Sequence, residues 1–179
     1  MLSKYLDTAT SIATLVASLA MVAVIGQRAW TMSHRPTPPQ PFKAGDAIPR
    51  LPGLDPAKSE RTLVMVLRHD CKYCAASLPF YRDLAKQFST PESSRRVQLV
   101  VVMPDEPDVA RDYVDSNKLQ VTAVIPLSPD ERLELRVRGT PTLLLADKTG
   151  RIKKVWTGQL DSSQQDEVRQ ALSIGTPAA

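Results

Sequence analysis

The sequence predicts an α/β domain, a central mixed β-sheet with helices on both faces, preceded by one N-terminal transmembrane helix. Three observations carry this. Short, nearly continuous apolar runs alternate with stretches of helical periodicity, the pattern of parallel strands buried on both faces. The last two runs are separated only by Asp147-Lys148-Thr149-Gly150, a hairpin turn, so the parallel part of the sheet ends in an antiparallel one. Residues 9–26 carry no charge.

Taken in order, Ala9 to Gly26 comes first. Eighteen helical residues at about 1.5 Å each reach about 27 Å, against a bilayer core of about 30 Å. Thr10, Ser11, Thr14 and Ser18 weaken the hydropathy, but each can bond back to its own helix. A cleaved signal peptide would need small residues at the cleavage site, and Val24-Ile25-Gly26 is a poor fit, so residues 1–30 read as an uncleaved anchor. Residues 31–44 read as a Pro-rich linker, and the prolines continue to Pro52, which makes a semi-extended spacer. Residues 45–179 then form the globular domain.

Within it, Thr62–Leu67 is predicted as a strand and Ala75–Phe88 as a helix. A polar turn over Ser89–Ser94 leads to a buried strand, Val97–Met103. Pro104-Asp105-Glu106-Pro107 breaks the chain, and Asp108 is expected to cap a helix to Asn117. Gln120–Ile125 is a short strand and Leu133–Val137 a brief helix or turn. Thr142–Ala146 and Ile152–Trp156 pair as a hairpin, and Asp161 or Ser162 caps a last helix, Gln164–Leu172.

Composition narrows the function. The chain has 179 residues, 42% of them apolar, enough for one core, and only 5% aromatic. Its net charge of +4 suggests an anionic partner, but four of the 23 basic residues and one of the 19 acidic ones precede Gly45. The domain is therefore nearly neutral, which argues against a nucleic-acid surface.

The chemistry sits at Arg68-His69-Asp70-Cys71-Lys72-Tyr73-Cys74. These are the only two cysteines, spaced by one helical turn at a strand-to-helix junction. Cys71 falls at the helix N-terminus, where unpaired N–H groups and the helix dipole favour a thiolate. Lys72, with His69 or Arg68, adds to this, while Asp70 opposes it. Cys74 is placed to attack the mixed disulfide that Cys71 forms. Metal binding is the competing reading, with Cys71, Cys74 and His69 as ligands. A structural zinc site takes four, usually from two such pairs, and no second pair exists.

Two further landmarks follow. Pro79 lies five residues after Cys74 inside the helical pattern, and Gly139-Thr140-Pro141-Thr142 stands at the head of a late apolar strand. With these in order, Gly45 to Ile174 resembles the thioredoxin superfamily. The resemblance implies a thioredoxin-like fold in which the Thr140–Pro141 bond is cis and faces the cysteines. It gives Cys71 and Cys74 catalytic roles, with Tyr73, Thr140 and Pro141 touching substrate. No cofactor and no metal are implied. The extra helix–strand unit between Cys74 and Pro141, the N-terminal segment and the Gly45-Asp46-Ala47-Ile48-Pro49 lead-in look like the membrane-anchored, redoxin-type oxidoreductases of bacteria. Their partners are protein disulfides and an upstream dithiol donor. The sequence departs from thioredoxin itself. Asp70 stands where Trp is usual, Lys72-Tyr73 replaces Gly-Pro, and Thr62–Leu67 lacks the buried acid.

The Tyr-Cys and Gly-Thr-Pro pieces also resemble periplasmic disulfide isomerases. A peroxiredoxin would need Thr or Ser where Arg68 stands. A copper-delivery protein would need a second domain histidine. Lys and Arg counts flanking residues 9–26 would place the domain in the cytoplasm. The family resemblance places it outside, as a single-pass protein of the cell membrane facing the periplasm or exterior. A non-enzymatic binding or metal-holding module is the alternative.

Overall fold

The computed structural model describes the backbone of residues 2–33 and 40–172, and side chains for 16–31 and for 40–172 apart from 133 and 134. The chain divides into two compact units, Met1–Pro39 and Gln40–Ala179.

The described residues of the first unit form one helix, α1 (Leu2–Ser33). Val16, Leu19, Met21, Val22, Val24, Ile25 and Trp30 are all exposed along it. Among the described residues no helix is long and apolar enough to cross a membrane. Residues 9–15 of the charge-free stretch lie outside the described side chains, as do residues 34–39 of the linker and 173–179 of the C-terminus outside the described chain.

The second unit is built on a five-stranded sheet. Strands β1 (Arg61–Val66), β2 (Val97–Met103), β3 (Ala123–Pro126), β4 (Thr142–Asp147) and β5 (Ile152–Thr157) lie in the order β3-β2-β1-β4-β5. The central β1 pairs in parallel with β2 (Leu63 opposite Leu99) and antiparallel with β4 (Leu63 opposite Leu145). Strand β3 joins β2 in parallel, and β5 joins β4 antiparallel. The sheet is therefore mixed, as the sequence predicts. Its central strands are buried on both sides, which is why they read as unbroken apolar runs.

Alternate residues face two cores. Leu63, Met65, Leu99, Val101 and Leu143 meet side chains of α2 (Lys72–Gln87), α4 (Pro107–Ser116) and α6 (Ser162–Leu172). Each such aliphatic side chain, fully buried, contributes about 1.5–3 kcal/mol. Val64, Val66, Val100 and Leu144 pack instead on Phe42, Ile48, Leu51, Leu127 and Leu135. Helices lie on both faces as expected, though unevenly: Leu127 and Leu135, at the two ends of α5 (Pro129–Glu134), pack on the second core, while α2, α4 and α6 share the first. The crossovers β1-α2-β2 and β2-α4-β3 step in the same direction and are right-handed, so both helices fall on one face. Irregular chain covers much of the other. Phe42 lies within the stretch read as linker, yet it is buried in this second core, and Arg136 stacks on its ring at 4.5 Å. The polar pair Thr62 and Gln98 is buried beneath this covering. Gln98 Nε2 donates to Thr62 Oγ1 and to Asp55 O, both at 2.7 Å.

Other boundaries differ for local reasons. The predicted polar turn after α2 contains α3 (Pro91–Arg96), opened by a Thr90–Ser93 capping box. The brief helix or turn expected over Leu133–Val137 starts earlier, as α5 (Pro129–Glu134), opened by Ser128 and Glu131 and followed by a tight turn in which the Val137 N–H donates to Leu135 O at 2.7 Å. Asp108 does not cap α4. Glu106 holds that position without a side-chain bond, and Asp108 pairs with Arg111 at 3.1 Å. Strand β3 starts later than predicted because the Thr122 hydroxyl, at 3.2 Å, takes the Leu99 N–H.

Candidate active site

The C-terminal ends of the parallel strands β1 and β2 and the start of β4 lie at the same end of the sheet, and the cysteines sit there. Open α/β sheets bind their ligands at this kind of edge. The chain leaves β1 through Leu67 to Asp70 and enters α2 with Cys71 as its N-cap. In this position the Cys71 sulfur accepts the Cys74 N–H at 3.1 Å, a task that Ser, Thr or Asp usually performs. Helix α2 therefore begins at Lys72, three residues before the predicted start. Pro79 stands inside it, where it cannot donate to the preceding turn.

The sequence-predicted residues come together around this cap. The Cys71 thiol also donates to Thr140 O at 3.3 Å, and the Thr140–Pro141 bond is cis, as the resemblance implies. Pro141 is buried, its carbonyl accepting the Gly158 N–H at 2.8 Å, and Thr142 Oγ1 donates to Gly139 O at 2.7 Å. The turn before β4 is thus held from both sides against the sulfur.

The two cysteines, both free thiols, are not equivalent. Cys71 is partly exposed, while Cys74 has no exposed surface. Burial works to raise the Cys71 pKa, but hydrogen bonds with Cys74 and Thr140 outweigh it and hold the thiol below its ordinary value. Burial, with the hydrogen bond to Cys71, pushes Cys74 up to about 12. One sulfur is accessible and favoured as thiolate, and the other is enclosed and held as thiol.

Tyr73 is half exposed, with Lys72 Nζ over its ring at 4.8 Å. It borders a groove of about 450 Å³ whose far wall is Gly158 to Asp161. His69 does not approach the sulfurs as a ligand. Its ring Nδ1 lies 2.6 Å from Asp105 Oδ1. Among the described residues no group of three His, Cys, Asp or Glu side chains is placed to hold a metal ion.

Sequence reading missed Asp105, treated only as part of a strand breaker. A carboxylate two residues beyond a parallel strand was the available signal. It also missed Tyr81 and Tyr113, whose buried hydroxyls lack a hydrogen-bond partner among the described residues. Both phenols are raised, first by burial and further by the cysteines, Tyr113 to about 12.

No protein-family model and no curated protein matches the sequence. Solved structures do match the fold. The thioredoxin domain of a thiol-disulfide oxidoreductase from Bacteroides vulgatus is 17% identical, over 74% of this chain and 99% of that one, with a TM-score of 0.57. A thiol:disulfide interchange protein from Bacteroides sp. is 16% identical over 76% and 94%, with a TM-score of 0.58. A thiol-disulfide isomerase from Corynebacterium glutamicum is 19% identical over 80% and 99%, with a TM-score of 0.50. At these identities the likeness is one of fold, and in fold the chain is a thioredoxin-like protein.

Proposed function

We propose that the chain is a membrane-tethered thiol–disulfide oxidoreductase that reduces or isomerises protein disulfides outside the cytoplasm. The observation that carries this is the asymmetry of the cysteine pair: Cys71 accessible, lowered in pKa and seated against Thr140, Cys74 buried and raised. The solved structures of like fold described as thiol–disulfide enzymes support the reading at the level of fold.

In the reaction, the Cys71 thiolate attacks one sulfur of a substrate disulfide. A mixed disulfide forms, and the other substrate sulfur leaves as thiolate and takes a proton. Cys74 then loses its proton and attacks Cys71 Sγ, which releases the second substrate sulfur. The substrate gains two electrons and two protons, and the chain is left with a Cys71–Cys74 disulfide. An upstream dithiol donor returns it to the reduced state. Thr140 offers its backbone to an extended substrate beside Cys71, Pro141 keeps other groups off the sulfurs, and Tyr73 meets the substrate from the opposite groove.

Anchoring through residues 9–26 draws on their lack of charge and on the apolar side chains exposed along α1 from Val16 to Trp30. Residues 31–44 are then the spacer and 45–179 the working domain. Insulin-disulfide reduction by the full chain tests the activity. Turnover is expected, and its loss in Cys71→Ser; a folded, reduced chain that exchanges with no disulfide would refute the enzyme. For placement, a reporter that becomes active only after export, fused after Ala179, is expected to be active. An active cytoplasmic reporter at that site would reverse the orientation.

A further inference from the structure

Beside Thr140, and sharing no lining residue with the groove at Tyr73, lies a second groove of about 290 Å³. Val66, Leu135 and Val137 form apolar wall, and Arg68, Arg132 and Arg138 supply charge. Among the described residues no carboxylate lines it. The arginines are not equally available. Arg68 is paired with Asp70 at 2.8 Å. Arg132 spends its Nε on Leu127 O at 3.2 Å, which fixes the guanidinium at the rim. Arg138 is exposed and makes no hydrogen bond or ion pair among the described residues. Arg136, between them, is committed elsewhere, to Asp46 at 3.5 Å and the Phe42 ring. Two exposed guanidinium groups, on Arg132 and Arg138, therefore border a hollow with an apolar wall on Val66, Leu135 and Val137.

From this we infer that the groove receives acidic side chains of an extended polypeptide whose neighbouring residue lies against Thr140. The inference rests on the thiol–disulfide reading for the identity of that polypeptide, a substrate chain flanking its cysteine. Its charge preference follows from the groove alone. An extended segment puts alternate side chains on one side at about 6.6 Å intervals. A chain paired along Thr140 and Gly139 would lower every second residue toward Arg132 and Arg138. Guanidinium groups take carboxylates in a two-point fork, which lysine cannot copy.

Peptide binding to the full-length chain tests this without any sulfur chemistry. The probe is a fluorescein-labelled, cysteine-free heptapeptide with serine at its centre and glutamate on both flanks, read by anisotropy beside its glutamine and lysine versions. The glutamate peptide is expected to bind about tenfold more tightly than the glutamine one at low salt. The lysine peptide should be weakest, and the differences should shrink in about 0.5 M salt. Arg138→Glu should abolish the glutamate advantage and improve lysine-peptide binding. Arg132→Gln should reduce the advantage without reversing it. Arg111→Glu, the same change of net charge on α4 outside the groove, should leave the ranking as it was. Equal binding of the three peptides, no binding of any, or the same effect from Arg111→Glu would overturn the assignment. A chain that ranks the peptides but reduces no insulin would refute the redox reading and leave the groove standing; the reverse result would do the opposite.

Discussion

Asp105 holds His69 at two points. One carboxylate oxygen lies 2.6 Å from the ring Nδ1 and the other accepts the His69 backbone N–H at 3.3 Å. The Asp105 side chain is only 8% exposed, while the His69 side chain is half exposed. The end of β2 is thereby tied to the loop that follows β1, two residues before Cys71. Asp105→Ala removes both contacts, and because half-exposed His69 can turn to water the cost should be about 0.5–1.5 kcal/mol of unfolding free energy in a urea titration. Asp105→Asn keeps one acceptor and should lose less. An unchanged midpoint for the alanine variant would mean that the tie contributes nothing to this loop.

The two thiols should titrate far apart. A thiol with a lowered pKa ionises at lower pH than a free one, so alkylation at Cys71 should rise with pH and reach half its maximum at lower pH than for a free thiol. Cys74, raised to about 12, should stay unreactive through this range. Its effect on stability has the opposite sign. The unfolded chain releases the Cys74 proton from about 8.5 and the folded one only near about 12, so the reduced protein should lose stability as pH rises between them. Iodoacetamide rates followed by mass spectrometry at each cysteine, together with urea midpoints across this pH span, check both parts. Equal rates at the two cysteines at neutral pH would sink the assignment.

Tyr81 and Tyr113 offer a test of a different kind. Neither hydroxyl makes a hydrogen bond within ordinary distance among the described residues, but Ser77 Oγ, which donates to Tyr73 O at 2.8 Å, keeps lone pairs beside Tyr81, so Tyr113 is the cleaner case. An unsatisfied buried hydroxyl costs free energy, so its removal should be neutral or favourable. Tyr113→Phe is expected to keep or raise the stability by up to about 1 kcal/mol, where most core substitutions lower it. A loss of more than about 1 kcal/mol in urea would show that the hydroxyl has a partner, such as an ordered water.

What could be read from the sequence follows from which forces are local. Strands such as Val97–Met103, buried on both faces, appear as continuous apolar runs, and that strand has the bounds the pattern predicts. Cys71, Cys74 and Pro141 could be brought together because their spacing and order belong to a known arrangement. The short helices α3 and α5 were legible in principle, since each opens with a hydroxyl residue, a proline and a partner three residues on. Their few turns gave no hydrophobic period to draw attention to them. Cys71 as its own helix cap was hidden, because a thiol is not a usual capping group. Asp105 and His69 are 36 residues apart, and nothing local marks them as partners. Phe42 was hidden for a similar reason: a lone aromatic among prolines reads as linker until the sheet face it covers is known.

The last prediction concerns which sulfur meets the substrate. Cys74 has no exposed surface and lies behind Cys71, whose sulfur sits at the helix start beside Thr140. An incoming disulfide can therefore reach only Cys71. With Cys74→Ser the mixed disulfide still forms but loses the thiol that resolves it, so covalent complexes with protein substrates should accumulate. Cys71→Ser leaves only the Cys74 thiol, which burial still holds protonated at neutral pH and out of reach, so few complexes should form. Both variants replace sulfur by a smaller oxygen, and Ser at position 71 can still cap α2, so the comparison is between folded proteins. Non-reducing electrophoresis after incubation with a disulfide-bonded protein, with and without dithiol, reads the difference directly. Equal trapping by the two variants would reverse the roles assigned to the cysteines, and with them the direction from which Thr140 and Tyr73 present the substrate.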